Sequence, residues 1–284
     1  MGRNPTEKAK SLMSNNKTTV LMYHALVEKR DSDLHPVHIE IAMFEQQMGW
    51  LHAQGYDGIT VEEWYSRWSA KQLSRPAVVI TFDDGYSSLM DRAAPILKKY
   101  GFAATLFLTT DFVGTPAFNA EFAQAVPPGQ RPLTWAEVQT LQVAGWDIQA
   151  HSCSHRPHAA LPIAQLKAEL ETSKQIIVNQ LNNRVKFYAF PYGNYNRQAL
   201  KALQDAGYWA GFAVHSGQIS PTSDLRRLPR IEINADCSSS VFAKLVRTGH
   251  ASTPGKYRAR LRNALFYFPL VKDVMQKAFG SFVN

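Results

Sequence analysis

The chain has 284 residues, 45% of them hydrophobic, which is enough for one large α/β barrel or two small domains. Its formal net charge of +8 is compatible with a basic soluble surface, or with binding to an anionic membrane or an acidic polymer. The sequence has no helix-turn-helix, zinc-finger or RNA-binding signature, so we expect no nucleic-acid partner. Two cysteines exclude a small fold held together by several disulfides.

The first residues are polar and mixed, and we predict a flexible tail over residues 1–17. The chain shows neither the apolar segment of a signal peptide nor a run of ~18 apolar residues that could span a membrane. We therefore expect a protein that is cytoplasmic or peripheral at the inner membrane.

Strands and helices alternate through the body of the chain. Strands are predicted at residues 18–24, 56–60, 78–84, 103–108, 146–150, 185–190, 208–214 and 227–233. Helices are predicted at residues 44–55, from 61, and at 86–100, 135–144, 163–181 and 197–206, and residues 111–132 read as a long loop. This alternation indicates a parallel sheet, and its seven or eight strands suit an α/β barrel spanning one domain at residues 18–250.

The last segment, residues 251–284, differs in character. Basic residues at 256–262 precede apolar and aromatic residues such as Phe266 and Phe279. Such a basic, amphipathic segment suits peripheral contact with a membrane surface, although a terminal helix docked on the barrel would give the same pattern.

Two adjacent acids, Asp83 and Asp84, end the apolar run at residues 78–82. Ligands of α/β proteins bind beyond the carboxyl ends of the strands, which is where these acids fall. Neighbouring carboxylates repel each other, so a cation or a proton between them would make the arrangement tolerable. An ordinary Asp-Gly turn would need only one of them.

Two histidines, His151 and His155, follow another predicted strand with four-residue spacing. If this segment makes a helical turn, both rings can point at one ion, and the acid pair can supply a carboxylate as third ligand. Two histidines and a carboxylate are a common hydrolytic metal set. Cys153 between them is an alternative soft ligand.

Three motifs in this order resemble those of the polysaccharide deacetylase family, also called the NodB-homology fold or carbohydrate esterase family 4. They are Thr-Phe-Asp-Asp-Gly at 81–85, His-Ser-Cys-Ser-His at 151–155, and Phe-Pro-Tyr-Gly at 190–193. The resemblance covers about residues 18–234. It implies a distorted (β/α) barrel of about seven strands and a metal-dependent hydrolase that removes N-acetyl groups from amino sugars of a glycan.

The resemblance also implies roles for individual residues. Asp84, His151 and His155 would bind one divalent metal, zinc in the first place, with cobalt, nickel or iron as alternatives. Asp83 would be the general base, and the backbone N–H of Tyr192 would help to hold the oxyanion.

The general acid has two candidates. The opening Leu-Met-Tyr-His at 21–24 resembles the circularly permuted subgroup that deacetylates poly-β-1,6-N-acetylglucosamine, in which the acid histidine comes first. We therefore assign His24, with His215 as the alternative.

One position departs from the family pattern. Many members carry an arginine three residues before the motif tyrosine, where this chain has Ala189. That arginine orients the base aspartate, and Arg230 on another predicted strand could replace it, unless Arg230 forms an ordinary salt bridge.

The alternative functions are a barrel that only binds glycans and an O-acetyl esterase on the same scaffold. We expect an N-acetylated glycan as substrate and a monomeric protein.

Overall fold

The computed structural model describes residues 17–73, 75–119 and 126–251. The predicted tail at 1–17 and the basic segment at 251–284 lie outside these ranges, apart from Lys17 and Ala251. Among the described residues, none of the helices is long and apolar enough to span a membrane.

Ten strands occur in the part of the chain that the structure describes. They are β1 (Thr19–Tyr23), β2 (Leu26–Val27), β3 (Ile39–Glu40), β4 (Asp57–Ile59), β5 (Ala77–Asp84), β6 (Thr105–Leu108), β7 (Asp147–Ala150), β8 (Phe187–Ala189), β9 (Ala210–Phe212) and β10 (Ile231–Glu232). Most are short and consist largely of buried residues, as expected for strands covered on both faces.

The main sheet is parallel throughout, in the order β10-β1-β5-β6-β7-β8-β9, and β4 pairs with the first half of β5. A parallel bridge between Phe212 and Leu228 joins β9 to the segment that runs into β10. The first and last strands of the chain are therefore neighbours in a curled sheet. This confirms the predicted distorted (β/α) barrel, and it gathers the carboxyl ends of the strands at one edge.

Helices cover the outside of this sheet. They are α1 (Ile41–Ala53), α2 (Val61–Ser69), α3 (Ala94–Lys99), α4 (Trp135–Val143), α5 (Ile163–Leu181), α6 (Arg197–Asp205) and α7 (Ser239–Thr248). The side chains of Thr60, Thr134 and Ser238 accept backbone N–H groups at the starts of α2, α4 and α7. Each of these caps satisfies a donor that the helix itself leaves without a partner.

Alternate residues of the strands pack into two separate cores. Leu21, Ile80 and Leu106 belong to the larger core that the strands share with the helices. Val20 and Phe107 belong to a smaller one that fills the barrel. Strand side chains alternate between the two faces of a sheet. Asp83 pairs with Phe107 and lies on the same, barrel-facing side. His24 also falls on that side, because it is an even number of residues after Val20.

Several predicted boundaries were wrong. The helix expected at residues 86–100 begins as a π-helical turn, Leu89–Ala93, and becomes α-helical only in α3. The predicted strands at 185–190, 208–214 and 227–233 shorten to β8, β9 and β10. Some of their outer residues, such as Phe190 and Ile233, still donate backbone hydrogen bonds to neighbouring segments. Helix α7 was not predicted, and neither was the small parallel pair β2–β3.

Candidate active site

The acid pair lies at the carboxyl end of β5, where both residues are 2% exposed. Consecutive strand residues normally point to opposite faces. Asp84, however, has a φ of 73°, in the left-handed region, and Gly85 follows with a φ of 99°. This turn brings both carboxylates towards the same imidazole, with Oδ2 of Asp83 and Oδ1 of Asp84 lying 3.7 Å and 3.6 Å from Nε2 of His151.

Asp84, His151 and His155 come together as a compact group. One ligand atom from each lies within 4.8 Å of the others, and all three residues are buried. Nε2 of His155 is 3.2 Å from Oδ1 of Asp84. The structure thus brings together the three residues that were predicted to hold a metal.

The segment that carries the two histidines is not a helical turn, so the expected geometry was wrong. His151 follows β7, and Ser152 and His155 adopt φ values of 73° and 61°. The Oγ of Ser152 accepts the backbone N–H of His155 at 2.9 Å. Two left-handed residues, rather than helical spacing, therefore bring both rings to the same point.

A backbone carbonyl fixes the orientation of the His151 ring. Nδ1 of His151 lies 2.8 Å from the carbonyl oxygen of Ala189. Since a carbonyl oxygen can only accept, Nδ1 carries the proton and donates it. This leaves the Nε2 lone pair facing the acids, which is the tautomer required of a metal ligand.

The chemistry of this group fits a cation. Oδ1 of Asp84 is buried and has no hydrogen-bond partner among the residues that the structure describes. Burial, reinforced by the charge of Asp83, raises the pKa of Asp84 well above its usual range. Burial likewise lowers the pKa values of His151 and His155. A carboxylate that is buried beside two neutral imidazoles is costly without a compensating charge. A divalent ion bound by all three groups would supply that charge.

Asp83 is held by Arg230, which lies directly before β10. Nη1 of Arg230 donates to Oδ1 of Asp83 at 2.5 Å and Nη2 donates to Oδ2 at 2.7 Å. The guanidinium is buried inside the barrel, with its central carbon 5.0 Å from the Phe107 ring centroid. Burial acts to raise the pKa of Asp83, but the charge and hydrogen bonds of Arg230, together with the neighbouring His151 and His24, outweigh it and the pKa falls to about 2. Asp83 is therefore a carboxylate at neutral pH.

His24 follows β1 and is a half-buried neighbour of the acid pair. Burial lowers its pKa to about 3, while the charge of Asp83 acts in the opposite direction and Arg230 and His151 add to the lowering. Its ring is 6.2 Å from that of His38. The alternative acid, His215, follows β9 and is half buried. Which of the two donates a proton stays a prediction.

Tyr192 lies beyond β8 at the edge of the site. Tyr192 is 64% exposed, and the centroid of its ring is 4.6 Å from that of His155. The backbone of Tyr192 is left-handed, with a φ of 57°, and a side chain on the following Gly193 would overlap the backbone nitrogen of Val214. This turn holds Tyr192 against His155, and the oxyanion role of its N–H stays a prediction.

Cys153 lies outside the three-ligand group. Its Sγ faces the carbonyl oxygens of Ala168 and Glu169 at 4.0 Å and 3.8 Å. Burial raises the pKa of the thiol to about 12, which disfavours the thiolate that a metal would need.

Sequence reasoning missed several residues around the site. Tyr86 donates a side-chain hydrogen bond to Asp84 and packs 5.3 Å from His38, ring to ring. Thr81 lies 3.4 Å from Nη1 of Arg230 through its Oγ1. The parity of β5 could have indicated Thr81, since it alternates with Asp83, whereas His38 lies in a polar loop that carries no readable signal.

An acid pair and two histidines thus lie together at the carboxyl edge of a parallel barrel. The family model described as polysaccharide deacetylase matches residues 70–211, half of the chain. The chain belongs to the polysaccharide deacetylase family.

Known relatives agree with this placement. YxkH of Bacillus subtilis (strain 168), whose name places it in the same family, is 28% identical over 233 residues, 82% of this chain and 77% of its own. The poly-β-1,6-N-acetyl-D-glucosamine N-deacetylase of Staphylococcus epidermidis (strain ATCC 35984) is 26% identical over 210 residues, 70% and 69% of the two chains. The structure of the Streptococcus pyogenes deacetylase PplD in complex with acetate superposes with a TM-score of 0.72 at 26% identity, over 84% of this chain and 100% of that one.

Proposed function

We propose that this protein is a metal-dependent hydrolase that removes N-acetyl groups from N-acetylhexosamine units of a glycan. The observation that carries the proposal is a division of labour within the acid pair. Asp84 faces two imidazole nitrogens with an oxygen that has no hydrogen-bond partner in the described ranges, whereas both oxygens of Asp83 accept hydrogen bonds from Arg230. Asp84 is therefore suited to bind a metal ion, and Asp83 is suited to accept a proton.

The group Asp84, His151 and His155 would hold one divalent ion, with zinc the first candidate and cobalt, nickel and iron the others. Such an ion would polarise the acetyl carbonyl and lower the pKa of the attacking water, so that even the weakly basic Asp83 could accept its proton.

Asp83 is the proposed general base. Its bidentate pairing with Arg230 keeps it ionised and fixes the plane of the carboxylate. Oδ2 lies 3.7 Å from Nε2 of His151, so the carboxylate borders the ion site without belonging to the three-ligand group. A base in this place collects the proton that water loses as it attacks the acetyl carbon.

His24 is the proposed donor of the proton to the leaving amine. Burial keeps the imidazole neutral in the free protein, so the ring must take up a proton before it can act as an acid. The charge of Asp83 favours this uptake because it raises the pKa of His24. Protonation of the nitrogen completes the cleavage of the C–N bond, with acetate and an amino sugar as products.

The relatives support the proposed substrate class. The Staphylococcus epidermidis protein is named for N-deacetylation of poly-β-1,6-N-acetyl-D-glucosamine. We take oligomers of this polymer as the first substrates to test for the present chain. The PplD structure, which contains acetate, supports an acetyl group as the part that is released.

The test is acetate release from β-1,6-linked N-acetylglucosamine oligomers before chelation, after chelation and after addition of zinc, cobalt or nickel. We expect activity to disappear on chelation and to return with at least one of the ions. Full activity in metal-free protein and in Asp84→Ala would refute the proposal. Matched O-acetylated oligomers separate an esterase from an amidase, and binding without turnover under every metal would indicate a barrel that only binds glycans.

A further inference from the structure

The loop that carries His151 and His155 is held from two sides. On one side, the backbone N–H groups of Thr110 and Asp111 donate to the carbonyl oxygens of Ser152 and Cys153, at 3.2 Å and 3.0 Å. These bonds attach the loop to the segment that follows β6. They leave the N–H groups of the same loop to be satisfied from elsewhere.

Glu169 supplies the partners on the other side. Its Oε2 accepts the backbone N–H groups of Cys153 and Ser154 at 2.8 Å and 2.9 Å, and its Oε1 accepts the hydroxyl of Ser154 at 2.5 Å. One carboxylate therefore receives three hydrogen bonds from two consecutive residues, both lying between the two histidines.

Glu169 is rigidly placed. It lies on the buried face of α5 between Leu166 and Leu170, and only 6% of the residue is exposed. Its cationic neighbour, Arg156, is 3.6 Å away and has a side chain that is 43% exposed, so this ion pair adds little. The main partners of the buried carboxylate are the loop's N–H groups and the Ser154 hydroxyl.

The loop requires such support because of its backbone conformation. Ser152 and His155, on either side of the two bonded N–H groups, both have positive φ angles. Residues with side chains rarely adopt this conformation, and it persists where surrounding contacts hold it in place. In this conformation, the two rings meet at Asp84.

We propose that Glu169 is a positioning residue for the metal site: it binds the backbone between the two histidines and thereby holds both imidazoles in the geometry that one ion requires. The inference rests on the proposed function, since it assumes that the group Asp84, His151 and His155 binds a metal. Glu169 acts through the loop and does not touch the ion.

The experiment measures metal affinity in Glu169→Leu, Glu169→Asp and Glu169→Gln, by titrating zinc into the apo protein and by recording the absorption spectrum of the cobalt form. Glu169→Leu removes the acceptors, and we expect affinity to fall ~10- to 100-fold with an altered cobalt spectrum. Glu169→Asp keeps the charge but withdraws the oxygens by one methylene, so it should also weaken binding. Glu169→Gln keeps an oxygen for the two N–H groups and should stay within a few-fold of the parent.

The matched control is Glu171→Leu, which removes an exposed acid from the same helix and should leave affinity unchanged. Melting of each apo protein separates positioning from a general loss of stability. If Glu169→Leu does not fold, the comparison of Glu169→Asp with Glu169→Gln decides the matter.

Two results would overturn the inference. One is a folded Glu169→Leu that binds zinc and cobalt as the parent does, and the other is equal affinity in Glu169→Asp, Glu169→Gln and the parent. Failure of the proposed function looks different, because the parent and Asp84→Ala would then bind the metal equally poorly.

Discussion

Arg230 and Asp83 form a buried, two-point ion pair, with N–O distances of 2.5 Å and 2.7 Å between residues that are 0% and 2% exposed. A buried pair of this kind costs ~3–5 kcal/mol to break from one side, because the other charge is left without compensation. Ala189 occupies the place where many members of the family carry an arginine. We propose that Arg230, which lies directly before β10, orients Asp83 in its stead.

Arg230→Gln should shift the pH dependence of kcat/KM. The pKa of Asp83 is held at about 2, so the carboxylate is ionised at every pH above that value. Without Arg230, burial raises the pKa of Asp83, and the acid limb of the profile should move to higher pH. Arg230→Lys should restore part of the shift. Arg226→Gln, which removes an arginine that pairs with Asp224, is the control, and an acid limb that stays in place in Arg230→Gln would contradict the assignment.

Asp83→Asn and Asp84→Asn should have different effects. Asp83→Asn removes the proton acceptor but none of the three proposed ligands, so metal should remain bound while kcat falls ~10²- to 10⁴-fold. Asp84→Asn removes the anionic ligand and should weaken metal binding itself. Metal content after dialysis, together with kcat at saturating metal, distinguishes the two. Loss of metal from Asp83→Asn alone would reverse the assignment.

His24→Gln should impair amides more than activated esters. An amine must be protonated to leave, whereas an aryl oxide with a low pKa does not need a general acid. We therefore expect His24→Gln to lose deacetylation of the sugar but to keep much of its activity on an aryl acetate. His215→Gln is the matched variant and should retain both activities. The opposite pattern would make His215 the acid.

His158 should make the protein less stable as the pH falls. Its Nδ1 lies 2.8 Å from the carbonyl oxygen of Arg156 and its Nε2 bonds the Tyr188 hydroxyl, which together specify the neutral ring. Burial lowers the pKa of His158 from 6.5 to about 4. The neutral ring therefore makes its full contribution to the free energy of unfolding above pH 6.5. As the pH falls towards 4, up to about 3 kcal/mol of that contribution is lost.

The measurement is the free energy of unfolding of the metal-free protein in urea at several pH values between 4 and 8. His158→Gln should be less sensitive to acid than the parent by that amount. His35→Gln, which replaces an exposed histidine, should behave like the parent. Identical pH dependence in His158→Gln and the parent would show that His158 is protonated as easily in the fold as outside it.

The sequence predicted what depends on local pattern. Helix α5 runs over residues 163–181 as expected, because its apolar positions recur at helical spacing and Leu166, Leu170 and Ile177 are buried. The strand ends that carry Asp83 and His151 were also placed well, since an apolar run that stops at a polar residue marks the edge of a sheet. Helix α7 was missed although Ser238 and Gly249 stand at its two ends as caps.

What could not be predicted depends on tertiary contacts or on unusual backbone angles. The pairing of Arg230 with Asp83 joins residues 147 positions apart. The sequence could offer it only as one of two alternatives, and the order in which β10, β1 and β5 lie side by side decides between them. The left-handed angles at Asp84, Ser152 and His155 occur in residues that rarely adopt them, so composition gave no sign of them. The helical turn expected around His151 was wrong for this reason.

The adjacency of the first and last strands has a consequence for synthesis of the protein. A ribosome releases Asp83 and Asp84 long before Arg230, and the strand that follows Arg230 is the one that pairs with β1. While the chain is being made, Asp83 therefore lacks the guanidinium that holds it in the folded protein. A nascent chain halted before residue 230 would carry every proposed metal ligand but not the partner of the proposed base.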